Sequence, residues 1–289
     1  MEGLCVLACF HECVIHEHHA FLGHVGGRKL WTHMVERFAF AKPWEAQIYT
    51  MMINKKCPVC EACARPANLK GPLGTAIIPP KIMSSVALDL FHMPTVKWEG
   101  ETFDMMAVCV DRMSGWMVAI PTLNKGLTGA KVAKEMLKHY WRPFGIPTLI
   151  SSDQGSHFTG GWWKTMCARL GIRQSFSQAY HHQANGRAEM AGQQLLERLR
   201  KIQTQEKILW VEALPNIVDR IHDTPGETGL SPYQILFGRD RPLASIPYSP
   251  PRDCEDAQSF FNRMREVDQA VARILKETHQ KALDQINKK

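Results

Sequence analysis

The 289-residue sequence has no long hydrophobic run, no internal repeat and no low-complexity tract. A membrane-spanning helix needs roughly 18 or more apolar residues in a row, and no stretch approaches that length. The apolar run at residues 4–10 has no basic flank, and His11 and Glu12 follow it directly. A signal peptide is therefore not expected. We expect an intracellular globular protein with no membrane partner, long enough for one mid-sized domain with appendages or two small domains.

Charge and cysteine content narrow the class further. The net charge of +7 suits a polyanionic partner such as nucleic acid, although many soluble proteins carry as much charge. The nine cysteines are an odd number, and Cys57, Cys60 and Cys63 lie close together. Without a secretion signal, this pattern indicates metal ligands or free thiols rather than disulfides.

Composition divides the chain into four segments. Residues 1–68 hold six of the thirteen histidines and six of the nine cysteines, as in a small helical metal-binding domain. Residues 69–83 form a connector whose glycines and prolines oppose a helix. Residues 84–240 alternate short apolar runs with helical spacing and form the predicted core domain. Residues 241–289 hold a linker and an amphipathic helix, which packs either on its own domain or on a partner surface.

The predicted core domain contains three strands and a helix, followed by a strand, a helix, a strand and a helix. This order predicts an α/β fold in which helices flank a mixed five-stranded sheet. The strands are expected near residues 86–91, 105–110, 116–120 and 148–151 and directly after Gly171, and the helices at 129–142, 162–170 and 186–203.

Three carboxylates occupy positions suited to metal-dependent chemistry. Asp89 interrupts an apolar strand, where an ionised group requires a partner or a cation. Asp153 follows another strand at its carboxyl end, the edge at which open α/β sheets bind ligands. Glu189 lies in the first turn of a helix. Each has a structural alternative: a paired core acid, a turn residue, and a glutamate that favours the helix dipole.

The sequence motifs around these carboxylates resemble those of the integrase core of Gypsy-type retrotransposons and retroviruses. In that family 35 residues separate the second aspartate from the glutamate, and 35 separate Asp153 from Glu189. The resemblance spans about residues 16–242. It is carried by residues 86–91 (VALDLF), 110–116 (VDRMSGW), 152–158 (SDQGSHF), 179–189 (AYHHQANGRAE), 228–233 (TGLSPY) and 236–239 (LFGR).

The resemblance implies an RNase H-like fold and a polynucleotidyl transferase. Such enzymes trim the 3′ ends of an element's DNA and join them to target DNA. The family's pattern implies that Asp89, Asp153 and Glu189 are catalytic, with Asp89 and Asp153 sharing one Mg²⁺ or Mn²⁺ and Asp89 and Glu189 holding the second. It also implies DNA as partner, a homo-oligomer and action in the nucleus.

Two departures from the family favour a rival interpretation. His182 stands where the family usually has proline, and no small β-barrel or chromodomain-like module follows the core. The rival is a decayed or domesticated integrase-like protein that only binds DNA or partners, and the sequence is also consistent with a fragment of a longer polyprotein. A transposase or RNase H relative is a weaker alternative.

The family also places a zinc module with two histidines and two cysteines before its core. Cys57 and Cys60 have the two-residue spacing of a zinc thiolate pair, and His24 matches the second histidine. We take His19 as the first histidine, with His18 and then His16 as alternatives, while Cys63 is an alternative thiolate. Zinc would be structural here. The competing interpretation is a set of unliganded histidines and free thiols.

Candidate DNA contacts lie beside the predicted catalytic glutamate. Arg187 is two residues from Glu189, and the preceding loop carries His181, Gln183 and Asn185. These side chains could contact phosphates or sugars, or could only shape the turn. A basic stripe on the helix at 129–142 is better explained as a solvated face.

Overall fold

The computed structural model describes residues 4–63, 79, 81–176, 186–226 and 228–241, with 262, 265–267, 269–277, 280 and 284 near the C-terminus. Among these residues, every helix is too short or too polar to span a bilayer. The predicted connector at 69–83 and the loop at 180–185 lie largely or wholly outside this part of the chain.

The N-terminal segment is a small helical assembly with one pair of short strands. Strand β1 (Leu4–Val6) pairs in parallel with β2 (Phe38–Phe40). A 3₁₀ helix (Ala8–Phe10) precedes helix α1 (His11–Phe21), and helices α2 (Gly27–Val35), α3 (Pro43–Lys56) and α4 (Pro58–Ala62) follow. Proline opens α3 and α4, where its missing N–H is not needed. The apolar core of this segment comprises Ile15, Leu22, Val25, Leu30, Met34, Ala46 and Ile53.

A five-stranded mixed sheet forms the second apolar core, as the sequence predicted. Its strands are β3 (Ser85–Trp98), β4 (Glu101–Asp111), β5 (Met117–Thr122), β6 (Leu149–Ser152) and β7 (Arg173–Phe176). Their order is β5-β4-β3-β6-β7; β5, β4 and β3 are antiparallel neighbours, while β3, β6 and β7 run parallel.

Helices cover the sheet and supply much of its core. The stretch predicted as one helix at 129–142 comprises α5 (Gly129–Met136), a π-helical turn (Leu137–Trp141) and α6 (Arg142–Phe144). Helices α7 (Ser156–Thr159) and α8 (Gly161–Arg169) lie between β6 and β7. The fully buried side chains contributed by these helices are Val132, Ala133, Met136, Tyr140, Trp141, Phe158, Trp163 and Cys167.

Three further helices follow the sheet: α9 (Gly186–Glu206), α10 (Trp210–Asp223) and α11 (Pro232–Phe237). Near the C-terminus the described residues are helical, and Val271 and Leu275 are buried. The rings of Tyr233 and Phe237 in α11 pack against Trp116, at centroid distances of 6.3 and 5.5 Å. The family-like segments at 110–116 and 228–239 therefore meet in one aromatic cluster.

Internal contacts group the described residues into two compact units. One unit takes residues from Met1–Lys70 and Gln193–Ser231, and the other takes residues from Gly71–Gly192 and Pro232–Lys289. Helix α9 contributes residues to both units. This grouping differs from the sequence boundaries in assigning residues 193–231 to the unit of the N-terminal segment. The predicted domains at 1–68, 69–83, 84–240 and 241–289 remain predictions.

Candidate functional site

The carboxylates predicted in the sheet lie on neighbouring parallel strands. In the β3–β6 pair, Ala87 is opposite Ser151. The same register, extended by two residues, aligns Asp89 with Asp153, which directly follows β6. Residues opposite each other on adjacent strands share a face of the sheet. Asp89 is half-buried and Asp153 is exposed, so this end of the strand pair offers carboxylate oxygens at an accessible edge.

A tight turn fixes the backbone around Asp153. Asp153 Oδ1 accepts a hydrogen bond from the Gly155 N–H at 3.1 Å, which forms an Asx turn. A Cβ atom at position 155 would lie 3.0 Å from the same oxygen. The glycine of the SDQG motif therefore leaves room for the carboxylate beside the backbone.

The helix that carries Glu189 approaches β3 closely. Glu189 is the fourth residue of α9, and its side chain lies outside the described part of the chain. One turn later, a Cβ atom at Gly192 would overlap the ring of Phe91, two residues beyond Asp89 on β3. Positions 189 and 192 share a helical face, and Asp89 and Phe91 share a strand face. The Gly192–Phe91 contact therefore holds the start of α9 against the strand of Asp89.

The VDRMSGW segment has a structural role at the turn between β4 and β5. The fully buried Asp111 carboxylate accepts hydrogen bonds from the Met83 and Ser114 N–H groups and from the Ser114 hydroxyl, at 2.7 to 2.9 Å. Burial raises the pKa of Asp111, while these donors oppose the shift. The neighbouring Arg112 donates to Ser151 Oγ on β6 at 3.1 Å. This turn thus connects β4 to the strand that precedes Asp153.

A separate group of four potential metal ligands forms in the other unit. His19, His24, Cys57 and Cys60 are all buried, and one ligand atom from each lies within 4.8 Å of the others. His19 Nε2 lies 3.2 Å from Cys60 Sγ, and His24 Nδ1 lies 3.3 Å from Cys57 Sγ. Two nitrogens and two sulfurs at these separations match the tetrahedral ligand set of structural zinc sites.

Each histidine of this group is oriented through its other ring nitrogen. His19 Nδ1 donates to the Val25 carbonyl at 3.1 Å, and His24 Nε2 donates to the Gln205 side-chain oxygen at 2.8 Å. Burial lowers the pKa of His19 to about 3 and also lowers that of His24. Both rings are therefore neutral at pH 7, the form that binds a metal.

The alternative ligands considered from the sequence lie elsewhere. His18 donates through Nδ1 to the Val14 carbonyl at 3.0 Å, and its ring packs on Phe38. His16 is 2.8 Å from the Tyr49 hydroxyl. The Cys63 sulfur is half-buried, 3.8 Å from the Thr204 hydroxyl. The structure therefore brings His19 and Cys60 together with His24 and Cys57, and not the alternatives His16, His18 or Cys63.

Comparison with known proteins shows what the chain is similar to. Residues 82–182 match the Integrase core domain family. The Gag-Pol polyprotein of baboon endogenous virus is 28% identical over 270 residues, and the Pol polyprotein of a radiation murine leukemia virus is 29% identical over 207. The matches cover 89% and 67% of this chain, but only 15% and 35% of those polyproteins.

Over residues 82–182 the chain is similar to the integrase core of retroelements. A solved simian T-cell lymphotropic virus intasome, in complex with a PP2A regulatory subunit, contains a chain of the same fold. Its TM-score is 0.51 at 17% sequence identity, and the likeness covers 83% of this chain and 78% of that chain. The fold of this chain is therefore the RNase H-like fold that the sequence predicted.

Some predicted site residues lie outside the described part of the chain. These are His181, Gln183 and Asn185, together with the side chain of Arg187. Conversely, sequence reasoning did not find Lys201 and Gln205, which contact His24 from α9. Their contacts join residues about 180 positions apart, and no local pattern marks them.

Proposed function

We propose that this chain is a DNA integrase, a polynucleotidyl transferase that trims the 3′ ends of element DNA and joins them to target DNA. The observation that supports this function best is the β3–β6 register, which, continued two residues past its last pair Ala87–Ser151, aligns Asp89 with Asp153. The Gly192–Phe91 contact adds support, because it holds the start of the Glu189 helix beside Asp89.

The donor chemistry of Asp89, Asp153 and Glu189 fits divalent cations. Mg²⁺ and Mn²⁺ prefer carboxylate oxygens and keep water ligands, which an exposed edge permits. Two such ions, when bound, would activate the attacking oxygen and stabilise the leaving one. In this assignment Asp89 and Asp153 would hold one ion, and Asp89 and Glu189 would hold the second. The Gly155 N–H restrains one Asp153 oxygen, so the carboxylate is oriented before it binds.

We propose a structural Zn²⁺ for His19, His24, Cys57 and Cys60. The fit rests on the buried two-nitrogen, two-sulfur set and on the neutral histidines. Zinc would stabilise the N-terminal helices, whose apolar core is small. All four ligands come from protein side chains, which leaves no open position for a substrate.

DNA is the proposed partner, in the form of element ends and target DNA. Arg187, His181, Gln183 and Asn185 are proposed to contact it, because any substrate must reach the metal-binding carboxylates beside them. The net charge of +7 supports a polyanionic partner. A homo-oligomer and nuclear action remain proposals that rest on the family alone.

A strand-transfer assay tests the proposed activity. The purified chain is given oligonucleotides that represent element ends, a target plasmid and Mg²⁺ or Mn²⁺. Glu189→Gln removes one carboxylate charge, and Glu135→Gln is the matched control on the exposed face of α5. We expect metal-dependent nicking or joining with the wild type and Glu135→Gln, and none with Glu189→Gln.

Two other outcomes would overturn the proposal. Equal background activity in all three proteins, with zinc bound and the fold intact, would leave the decayed or domesticated DNA-binding protein as the better description. Equal activity in the wild type and Glu189→Gln would show that another group performs the chemistry.

A further inference from the structure

The second half of helix α9 contacts the loop that presents His24. Arg198, Lys201 and Gln205 are spaced at three and four residues and so share one helical face. Arg198 donates to the Leu22 carbonyl at 3.1 Å, Lys201 donates to the His24 carbonyl at 3.2 Å, and Gln205 accepts from His24 Nε2 at 2.8 Å. Three successive turns of α9 thus bind one short loop.

That loop has an unusual backbone, which these contacts hold in place. Gly23 and His24 have φ angles of 72° and 60°, and residues with side chains rarely adopt such values. A Cβ atom at Gly23 would lie 3.4 Å from Arg198 Cδ, so the arginine stem packs directly on the glycine. Arg198 and Lys201 are both buried, and Lys201 is also paired with Glu197 at 2.6 Å. The carbonyls on both sides of Gly23 are therefore fixed by buried cations.

Gln205 also determines which nitrogen of His24 is available to a metal. Its side-chain oxygen accepts the proton of Nε2, which leaves the lone pair of the neutral ring on Nδ1. Nδ1 is the atom that lies 3.3 Å from Cys57 Sγ, inside the four-ligand group. His19 uses the opposite arrangement, with Nδ1 held by the nearby Val25 carbonyl and Nε2 facing the sulfurs. His19 is thus oriented locally, whereas His24 is oriented from α9.

We infer that Gln205 is a positioning residue of the metal centre, and that α9 holds His24 in the tautomer and backbone conformation that bind the ion. The inference rests on the proposed zinc site. Partners that orient a metal-bound histidine typically change affinity about 10- to 100-fold when they are removed. By linkage, a bound ion would in turn stabilise the packing of residues 193–206 on the His24 loop.

The test compares zinc affinity among full-length variants, measured by competition with a chromogenic chelator. Gln205→Met keeps the length of the side chain but has no strong acceptor, whereas Gln205→Glu keeps an acceptor oxygen. Gln194→Met makes the same change at an exposed position of α9. Nitrogen-15 NMR of the zinc-loaded protein reports which His24 nitrogen carries the proton, independently of the measured affinity.

We expect Gln205→Met to weaken zinc binding about 10- to 100-fold and to lose the Nε2–H tautomer. Gln205→Glu should keep both affinity and tautomer, and Gln194→Met should match the wild type. Wild-type affinity in Gln205→Met would overturn the inference, as would equal losses in Gln205→Met and Gln205→Glu. Failure of the wild type to bind one zinc ion, or unaltered binding in Cys57→Ser, would instead overturn the zinc site itself.

Discussion

The two candidate metal sites differ in how the chain assembles them. The four residues of the histidine–cysteine group are buried, and one potential ligand atom from each lies within 4.8 Å of the others. The carboxylate edge draws on β3, the turn after β6 and the start of α9, and Asp153 there is exposed. A closed set of protein ligands suits an ion that maintains structure, whereas an open edge leaves room for water and substrate. Stability should therefore depend mainly on the first site and catalysis on the second.

The largest expected effect is on stability, from loss of a buried thiolate. Cys60→Ser should abolish stoichiometric zinc binding and unfold the N-terminal helices, because structural zinc contributes on the order of 10 kcal/mol in small zinc domains. Thermal unfolding with and without zinc, together with metal analysis, measures this. Cys63→Ser is the matched control, and it should retain one zinc ion. Zinc loss in Cys63→Ser with retention in Cys60→Ser would show that the ligand assignment is wrong.

The second prediction concerns the carboxylate edge, where a substitution should reduce activity but leave stability nearly unchanged. Asp153→Asn should lower strand transfer on the order of 100-fold or more, the scale at which a preoriented electrostatic group acts. Because Asp153 is exposed, the free energy of unfolding of the variant should differ from that of the wild type by only about 0.5 kcal/mol. Denaturant unfolding measures the stability, and the strand-transfer assay on the same preparation measures the activity. Severe destabilisation by Asp153→Asn would show that stability depends on the carboxylate edge as well as on the histidine–cysteine group.

A third, smaller effect concerns the contact that holds α9 on β3. In Gly192→Ala the new methyl group would overlap the Phe91 ring, and overpacking of this kind typically costs about 1–3 kcal/mol. Activity should fall as well, because the start of the Glu189 helix is displaced. Phe91→Leu should restore part of both losses in the double mutant. Gly161→Ala is the control, since its new methyl group meets no neighbour. Equal stability of Gly192→Ala and the wild type would contradict the close approach.

The last prediction is a pH dependence of stability that comes from the burial of His33. His33 is fully buried, and burial lowers its pKa to about 3 from an ordinary value of 6.5. Between these values the unfolded chain binds the extra proton, so stability is present above pH 6.5 and is lost as the pH falls towards 3. The contribution is at most about 1.4 kcal/mol per pH unit. In His33→Leu the free energy of unfolding should depend less steeply on pH by this amount. Identical slopes in the variant and the wild type would show that His33 does not cause the pH dependence.

Much of the fold follows from local sequence patterns, and the exceptions have physical causes. The strands near residues 86–91 and 105–110 were predictable because their apolar runs are buried. The second half of β3 was missed, since residues 92–98 contain Pro94, carry no continuous apolar run and are mostly exposed. The helix predicted at 129–142 contains a π-helical turn that spacing alone does not reveal.

The candidate sites show the same limit. Cys57 and Cys60 could be recognised from their spacing, and the carboxylates from the motifs around them. Lys201 and Gln205 could not, because their partner His24 is about 180 residues away. Contacts over such distances are set by tertiary packing, which leaves no periodic pattern in one sequence.

If the carboxylate edge binds the ions that act in DNA joining, a change of one ligand should change which ion supports joining. Asp153→Cys replaces a hard oxygen with a softer sulfur, which Mn²⁺ tolerates better than Mg²⁺. We predict that the wild type joins DNA with either ion and that Asp153→Cys does so with Mn²⁺ only. Undiminished joining by Asp153→Cys in Mg²⁺ would show that Asp153 does not hold the ion. Wild-type joining without any divalent ion would show that no such ion is needed.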